Sequence, residues 1–166
     1  MSRNTYIIDI SDLDKTWNNF EKRTKHEIKK CPYDVWYCCG DLDLLHGLED
    51  FDKRHRETRP DRKINKKFIY DTWKKRKPNI REYCCGNSSA IISWDKDTGY
   101  YLLAARNKHY ETMGEPSKIL WEAMKDLNAL GIKKFDLCCC NVPSISLFKR
   151  GFGGKNVLQK IPCLEY

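Results

Sequence analysis

Between Ile80 and Arg106, three short β-rich runs follow one another with only tight-turn sequences between them, and this stretch does most to limit what the chain can fold into. The runs are Ile80 to Cys85, Ser88 to Asp95, and Tyr100 to Arg106. They are joined by Gly86-Asn87 and by Lys96-Asp97-Thr98-Gly99. Turns this short connect antiparallel neighbours, so the spacing predicts a three-stranded meander. A helix follows, opened by Pro116 and Ser117. Its apolar positions Ile119, Leu120, Ala123, Met124, Leu127 and Leu130 keep a 3.6-residue period until Gly131 ends it. Ile132 to Cys139 reads as the next strand, Ser144 to Arg150 as a short helix, and Asn156 to Leu164 as a last strand.

Upstream, Asn4 to Ile10 alternates as a strand does, and Ser11 with Asp14 approximates a capping box for one helix. Leu13, Trp17, Phe20, Thr24 and Ile28 form its apolar stripe, and Pro32 ends it. Asp34 to Cys39 reads as a buried strand closed by Gly40. Leu42, Leu45, Leu48 and Phe51 give a second helical stripe, broken near Arg59-Pro60. Ile64, Phe68, Ile69 and Trp73 give a third, which ends at Pro78-Asn79. At 166 residues the chain suits one domain, 1–166, with a strand-helix extension over 1–31 and a core over 32–166. No stretch approaches the ~20 apolar residues of a membrane span, and no secretory signal opens the chain, so a cytoplasmic protein is expected.

The nine cysteines sit in runs at Cys38-Cys39, Cys84-Cys85 and Cys138-Cys139-Cys140, with Cys31 and Cys163 alone. Neighbouring strand residues point to opposite faces, which disfavours a disulfide framework, and no CxxC pair offers a zinc site. Small buried hydrophobes in a reduced protein, with no metal, is the reading these residues support. A thiol-based enzyme is a weaker alternative. Net charge is +8, and Lys53 to Lys77 carries twelve Lys/Arg against Glu57, Asp61 and Asp71. Lys66, Lys67, Lys74, Lys75, Arg76 and Lys77 are therefore candidates for holding a phosphate-rich partner such as tRNA; a solvated helix face is the plain alternative.

Three motifs close the chain in quick succession. They are Ser117 to Met124 around Trp121, Leu130-Gly131-Ile132-Lys133-Lys134-Phe135-Asp136-Leu137, and Phe148-Lys149-Arg150-Gly151-Phe152-Gly153-Gly154. Together with the element order, they resemble the Fem-type (FemABX-like) branch of the GNAT acyltransferase superfamily, as a single-domain member. The opening Tyr6 to Ile10, with Trp17 and Lys22-Arg23, extends the resemblance over most of the chain. It implies an α/β (α+β) fold with a mixed, mostly antiparallel central sheet flanked by helices. An acyl channel would lie between the Tyr100 to Arg106 and Ile132 to Cys139 strands. The implied activity is transfer of an aminoacyl or acyl group to an amine on a peptide, a cell-wall precursor or a small metabolite. Aminoacyl-tRNA is the favoured donor and acyl-CoA the next, each a co-substrate rather than a permanently bound cofactor.

The residues argue part of this on their own. The glycines of the last motif allow close approach of a backbone or ligand, Phe148 and Phe152 can anchor the helix end, and Lys149 and Arg150 are held beside a rigid turn. A cation fixed there suits a phosphate, a carboxylate or a developing oxyanion; a helix cap with ordinary surface cations is the plain alternative. By the resemblance, Phe148 and Lys149 sit at the reaction centre, and Arg150, Gly151, Gly153 and Gly154 lie against the donor. Arg106, Gly114 and Ser117 mark where a CoA pyrophosphate would bind, although Arg106 to Gly114 lacks the usual (Q/R)-x-x-G-x-(G/A) loop. His109 and Asp136 are candidate bases, against solvation for the one and backbone capping for the other. With tRNA as donor, its terminal hydroxyl can shuttle the proton instead. Tyr110 and Trp121 read as core or pocket wall.

Two departures from the pattern matter. Fem-type enzymes pair two such domains, which leaves a homodimer as one way to supply the second, and Cys138-Cys139-Cys140 stands where the family carries glycines. A non-catalytic module that binds RNA or protein through the basic helices is the reading from another functional class.

Overall fold

The computed structural model describes residues 2–38, 41–58, 66–140 and 142–160. Its elements run β1 (Ser2–Asp9), α1 (Leu13–Asn19), α2 (Lys22–Lys30), β2 (Trp36–Cys38), α3 (Asp41–Thr58) and α4 (Lys66–Arg76), then β3 (Ile80–Cys85), β4 (Ser88–Trp94) and β5 (Thr98–Arg106). They finish with α5 (Glu115–Ala129), β6 (Lys134–Cys139), α6 (Pro143–Arg150) and β7 (Lys155–Lys160). One sheet takes all the strands in the order β2-β3-β4-β5-β6-β1-β7. Its ladders are antiparallel except β5 with β6. This is the mixed, mostly antiparallel sheet with flanking helices that the sequence predicts. Among the described residues no helix is long and apolar enough to cross a membrane.

The core lies on both faces of the sheet, which is why β4 is buried along its whole length. On one face, Ala90, Ile92 and Trp94 meet the α5 stripe of Ile119, Leu120, Ala123, Met124 and Leu127, joined by Phe20 and Ile28. On the other, Ile91, Leu103 and Ala105 meet Phe51 of α3 with Ile69 and Trp73 of α4. Alternation along β4 thus sends successive side chains to two different helix layers.

The single N-terminal helix expected from the apolar stripe is two helices. Phe20 and Glu21 both take extended backbone between α1 and α2, and the Glu21 N–H leaves the helix to donate to Gly151 O at 2.8 Å. The cap is also Asp12 rather than Ser11. Asp12 accepts the Lys15 N–H at 3.0 Å, while the Ser11 N–H and hydroxyl turn back to Asp9. The β2 strand is shorter than expected and exposed, with Trp36 60% accessible, because it is the sheet edge and lacks a neighbour on one side. Cys39, Gly40, Arg59, Pro60, Ile64 and the stretch 161–164 of the predicted last strand lie outside the described residues, as does Cys163.

The strand read as part of an extension is internal: β1 sits between β6 and β7. It is secured from above by an aromatic cluster in which Phe20 stacks edge-on against Phe152 (5.2 Å) and Trp121 (5.3 Å), with Trp17 beside Trp121 (5.2 Å). Phe152 is fully buried at the point where the turn after α6 meets the α1–α2 corner. Replacing it by alanine, Phe152→Ala, is expected to cost about 3–5 kcal/mol, read as a lower denaturant midpoint with an unchanged m-value.

Candidate active site

Strands β5 and β6 are parallel neighbours over three register pairs only, Thr98↔Lys134, Gly99↔Phe135 and Tyr100↔Asp136. Beyond that level β5 continues to Arg106 and β6 to Cys139 without pairing each other. Both strands are irregular at the same height. The β4–β5 register steps from Ile92↔Tyr101 to Ile91↔Leu103, which makes Leu102 an extra residue. The β1–β6 register steps from Ile7↔Asp136 to Thr5↔Cys139, and Cys138 there has a left-handed φ of 56°. Bulges bend a strand and add to its twist, so two of them side by side drive the strands apart.

Asp136 holds the β6 bulge. Its carboxylate is buried and accepts the Thr5 hydroxyl and, at 2.7 Å, the Cys138 N–H. The carboxylate thus satisfies a backbone donor at the bulge.

Lys149 enters the gap from α6. Tyr101 and Leu137 would form the next register pair, and the Lys149 ammonium lies between them. Nζ donates to Leu137 O and stands 5.3 Å from the Tyr101 ring centroid. Only 5% of the residue is exposed. The preceding Phe148 is half-buried and packs edge-on against Phe152 at 5.5 Å. Lys149 thus meets the backbone next to Asp136 where the β5–β6 ladder ends, and Phe148 precedes it on α6.

The turn after Lys149 presses on the chain itself. Gly153 has φ +69°, and a Cβ there would fall 2.3 Å from Asn19 O. Gly151 backs onto the Thr24 hydroxyl and Gly154 onto Ile7 O, at 2.4 and 2.9 Å from where a Cβ would stand. Arg150 is exposed and pairs with Glu21 at 3.4 Å. The N-terminus of α5 is occupied in the same way. Gly114 takes φ +96°, with Glu27 O 2.2 Å from where a Cβ would stand, and the Ser117 hydroxyl donates to Glu27 Oε2 at 2.7 Å. The buried Glu115 carboxylate accepts the Met113 N–H. Carboxylates of the chain thus lie where a helix dipole favours an anion.

Solved structures share this architecture. The crystal structure of FemX superposes with a TM-score of 0.79 at 11% identity, over 93% of this chain and 59% of that one. This chain has the Fem-like GNAT fold. The C-terminal DUF2156 domain of an Agrobacterium fabrum protein assigned as a lysylphosphatidylglycerol synthetase gives 0.70 at 9% identity, over 95% of this chain and 60% of that chain. A GCN5-related glucosamine N-acetyltransferase region of a fungal multi-domain GH3 β-N-acetylglucosaminidase gives 0.56 at 11%, over 95% and 20%. This chain spans about three fifths of the length of the first two. No family model and no curated protein matches the sequence.

Within this Fem-like GNAT fold the other candidates stand apart from Lys149. Arg106 closes β5 and is exposed, and His109 lies exposed in the following turn, its N–H on Asn107 Oδ1 at 3.0 Å. Tyr110, read as core or wall, is exposed because it belongs to that same turn. Lys66 pairs with Asp52 at 3.4 Å and Lys67 with Asp71 at 2.6 Å. Arg76 donates to the Ser93 hydroxyl and lies over the Tyr100 ring, which sets the end of α4 beside the paired end of β5, and Lys74 lies over the Tyr70 ring at 4.5 Å. Among the described residues no group of three His, Cys, Asp or Glu could hold a metal ion. No local pattern in the sequence marks Thr5, Leu137 O or Glu27. Tyr101 had one weak mark, as the second of two adjacent tyrosines in a β-rich run. Thr5→Val, which keeps the shape and removes the hydroxyl, is expected to cost about 1–3 kcal/mol by leaving Asp136 short of a donor. Faster amide exchange at Cys138 would locate that loss at the bulge.

Proposed function

We propose that the chain is an N-acyltransferase that moves an aminoacyl group from an ester donor of the aminoacyl-tRNA type to an amine. The observation that carries this reading is the buried Lys149 ammonium fixed at the root of the β5–β6 splay. In the reaction the amine nitrogen bonds to the ester carbonyl carbon, the C–O bond breaks, and the amine proton goes to the leaving oxygen. Negative charge collects on the carbonyl oxygen in between. A cation already desolvated and held in place stabilises that charge without reorganising. Asp136 positions the bulge rather than taking the proton, since its carboxylate accepts from Thr5 and Cys138. With His109 exposed in a separate turn, the donor's own hydroxyl is the proton carrier this reading favours.

The filled α5 N-terminus supports an ester donor over acyl-CoA. A pyrophosphate bound there would meet Glu27 and Glu115 and the Glu27 backbone packed on Gly114. The neighbours' names include a glucosamine N-acetyltransferase region and a lysylphosphatidylglycerol synthetase, so group transfer suits the fold while the donor is argued from the site. The acceptor is an amine, and a second copy of this chain is one way to add to its binding site. A purely RNA-binding module draws less support, because Lys66 and Lys67 are spent on carboxylates of the chain.

The test is mass addition to candidate amines after incubation with charged tRNA or with acyl-CoA. Charged tRNA should support transfer and acyl-CoA should not. Lys149→Met keeps the aliphatic stem and should lower the rate by about 10²–10³-fold with an unchanged circular dichroism spectrum. Wild-type rates in that variant would remove Lys149 from the reaction centre.

A further inference from the structure

Helix α2 lies along the open end of the sheet. Thr24 backs Gly151 in the turn after Lys149, and Glu27 packs on Gly114 and Ser117 at the start of α5. The helix ends at its C-cap, Cys31. There the Cys31 Sγ is 3.7 Å from the Sγ of Cys85, the last residue of β3, 54 positions away in sequence. Both thiols are turned toward the Tyr33 carbonyl, at 4.0 and 3.7 Å, and the residues are 6% and 0% exposed. Other described cysteines are turned to different partners: Cys38 to Glu82, Cys138 to the Asp136 carbonyl, and Cys140 to Asn4 O.

We propose that Cys31 and Cys85 form a latent dithiol that a two-electron oxidant of the peroxide class converts to a disulfide, clamping the end of α2 to β3. The sulfurs are already in van der Waals contact, and a closure of under ~2 Å brings them to bonding distance. One thiolate attacks a peroxide oxygen, giving a sulfenic acid and, after protonation, water. The second sulfur then attacks the sulfenic sulfur and releases a second water. Two thiols are oxidised, one peroxide is reduced, and no other reactant is needed.

Two physical consequences follow. Burial pushes the Cys85 thiol up to about 12, and the reactive form is the thiolate, so the reaction is slow near neutrality and accelerates as pH rises. The bond also closes a long loop, which restricts the unfolded chain more than the folded one. The clamp acts on a helix that touches both the Lys149 turn and the α5 N-terminus, yet it does not depend on the chemistry at either.

The experiment treats the purified chain with hydrogen peroxide, then blocks free thiols and maps disulfides by mass spectrometry of an unreduced digest. The expected product is one cross-linked peptide pair joining Cys31 to Cys85, two hydrogens lighter than its parts. Thermal unfolding should move up by several degrees and return on adding dithiothreitol. Cys31→Ser and Cys85→Ser should each abolish that oxidant-dependent shift, while Cys138→Ser keeps it. Cross-links that avoid this pair would overturn the proposal, as would oxidation of the half-buried Cys138 with Cys31 and Cys85 still alkylatable after unfolding. Mapping the unmodified chain decides the matter even if a serine variant fails to fold.

Discussion

The ladder between β5 and β6 stops after three register pairs, and the site and its surroundings are built on that interruption. Ending a ladder inside a protein exposes backbone groups that must find partners, since a buried orphan costs about as much as a lost hydrogen bond. Two charged side chains supply them here. The Lys149 ammonium takes Leu137 O, and the Asp136 carboxylate takes the Cys138 N–H together with the Thr5 hydroxyl. Hydrogen bonds to charged groups contribute roughly 1.5–3 kcal/mol, more than the neutral ones they replace. A buried cation and a buried carboxylate thus repair the backbone where the ladder ends.

That cation needs its own support, and the first thirty residues give much of it. β1 completes the sheet between β6 and β7, and the corner between α1 and α2 accepts the turn that follows Lys149. The glycines of that turn are required by the approach of Asn19, Thr24 and Ile7, so they serve packing within the chain. Aromatic contacts from Trp17 and Phe20 to Trp121 and Phe152 tie the corner to α5 and to the turn together. Each such pair adds about 0.5–1.5 kcal/mol beyond the area it buries. A segment that resembles an N-terminal extension in sequence is therefore part of the site's scaffold.

The features legible in the sequence are those set by near neighbours. The meander follows from two tight turns, and α5 from an unbroken apolar period closed by Gly131, and both are found in place. The break between α1 and α2 was not legible. Phe20 and Thr24 keep the helical period across it, and the cause is a hydrogen bond from Glu21 to Gly151, remote in sequence. The exposure of β2 was missed for a related reason: an aromatic run reads as core whether its strand is central or at an edge. In the site, Lys149 was marked by the turn motif around it. Its setting was not, because Thr5 and Asp136 are 131 positions apart and no local pattern records their meeting.

Charge distribution argues the same way about the donor. The excess over Lys53 to Lys77 looks like a continuous basic face in sequence, yet Arg54, Arg56, Lys66 and Lys67 each face a carboxylate within 4 Å. The anion-favouring start of α5 in turn holds Glu27 and Glu115. Under the proposed reading, the net charge of +8 would act over distance on a polyanionic donor. On that reading, a nucleic acid that presents an ester to Lys149 fits better than a small cofactor anchored by its pyrophosphate, because the start of α5 already holds carboxylates of the chain.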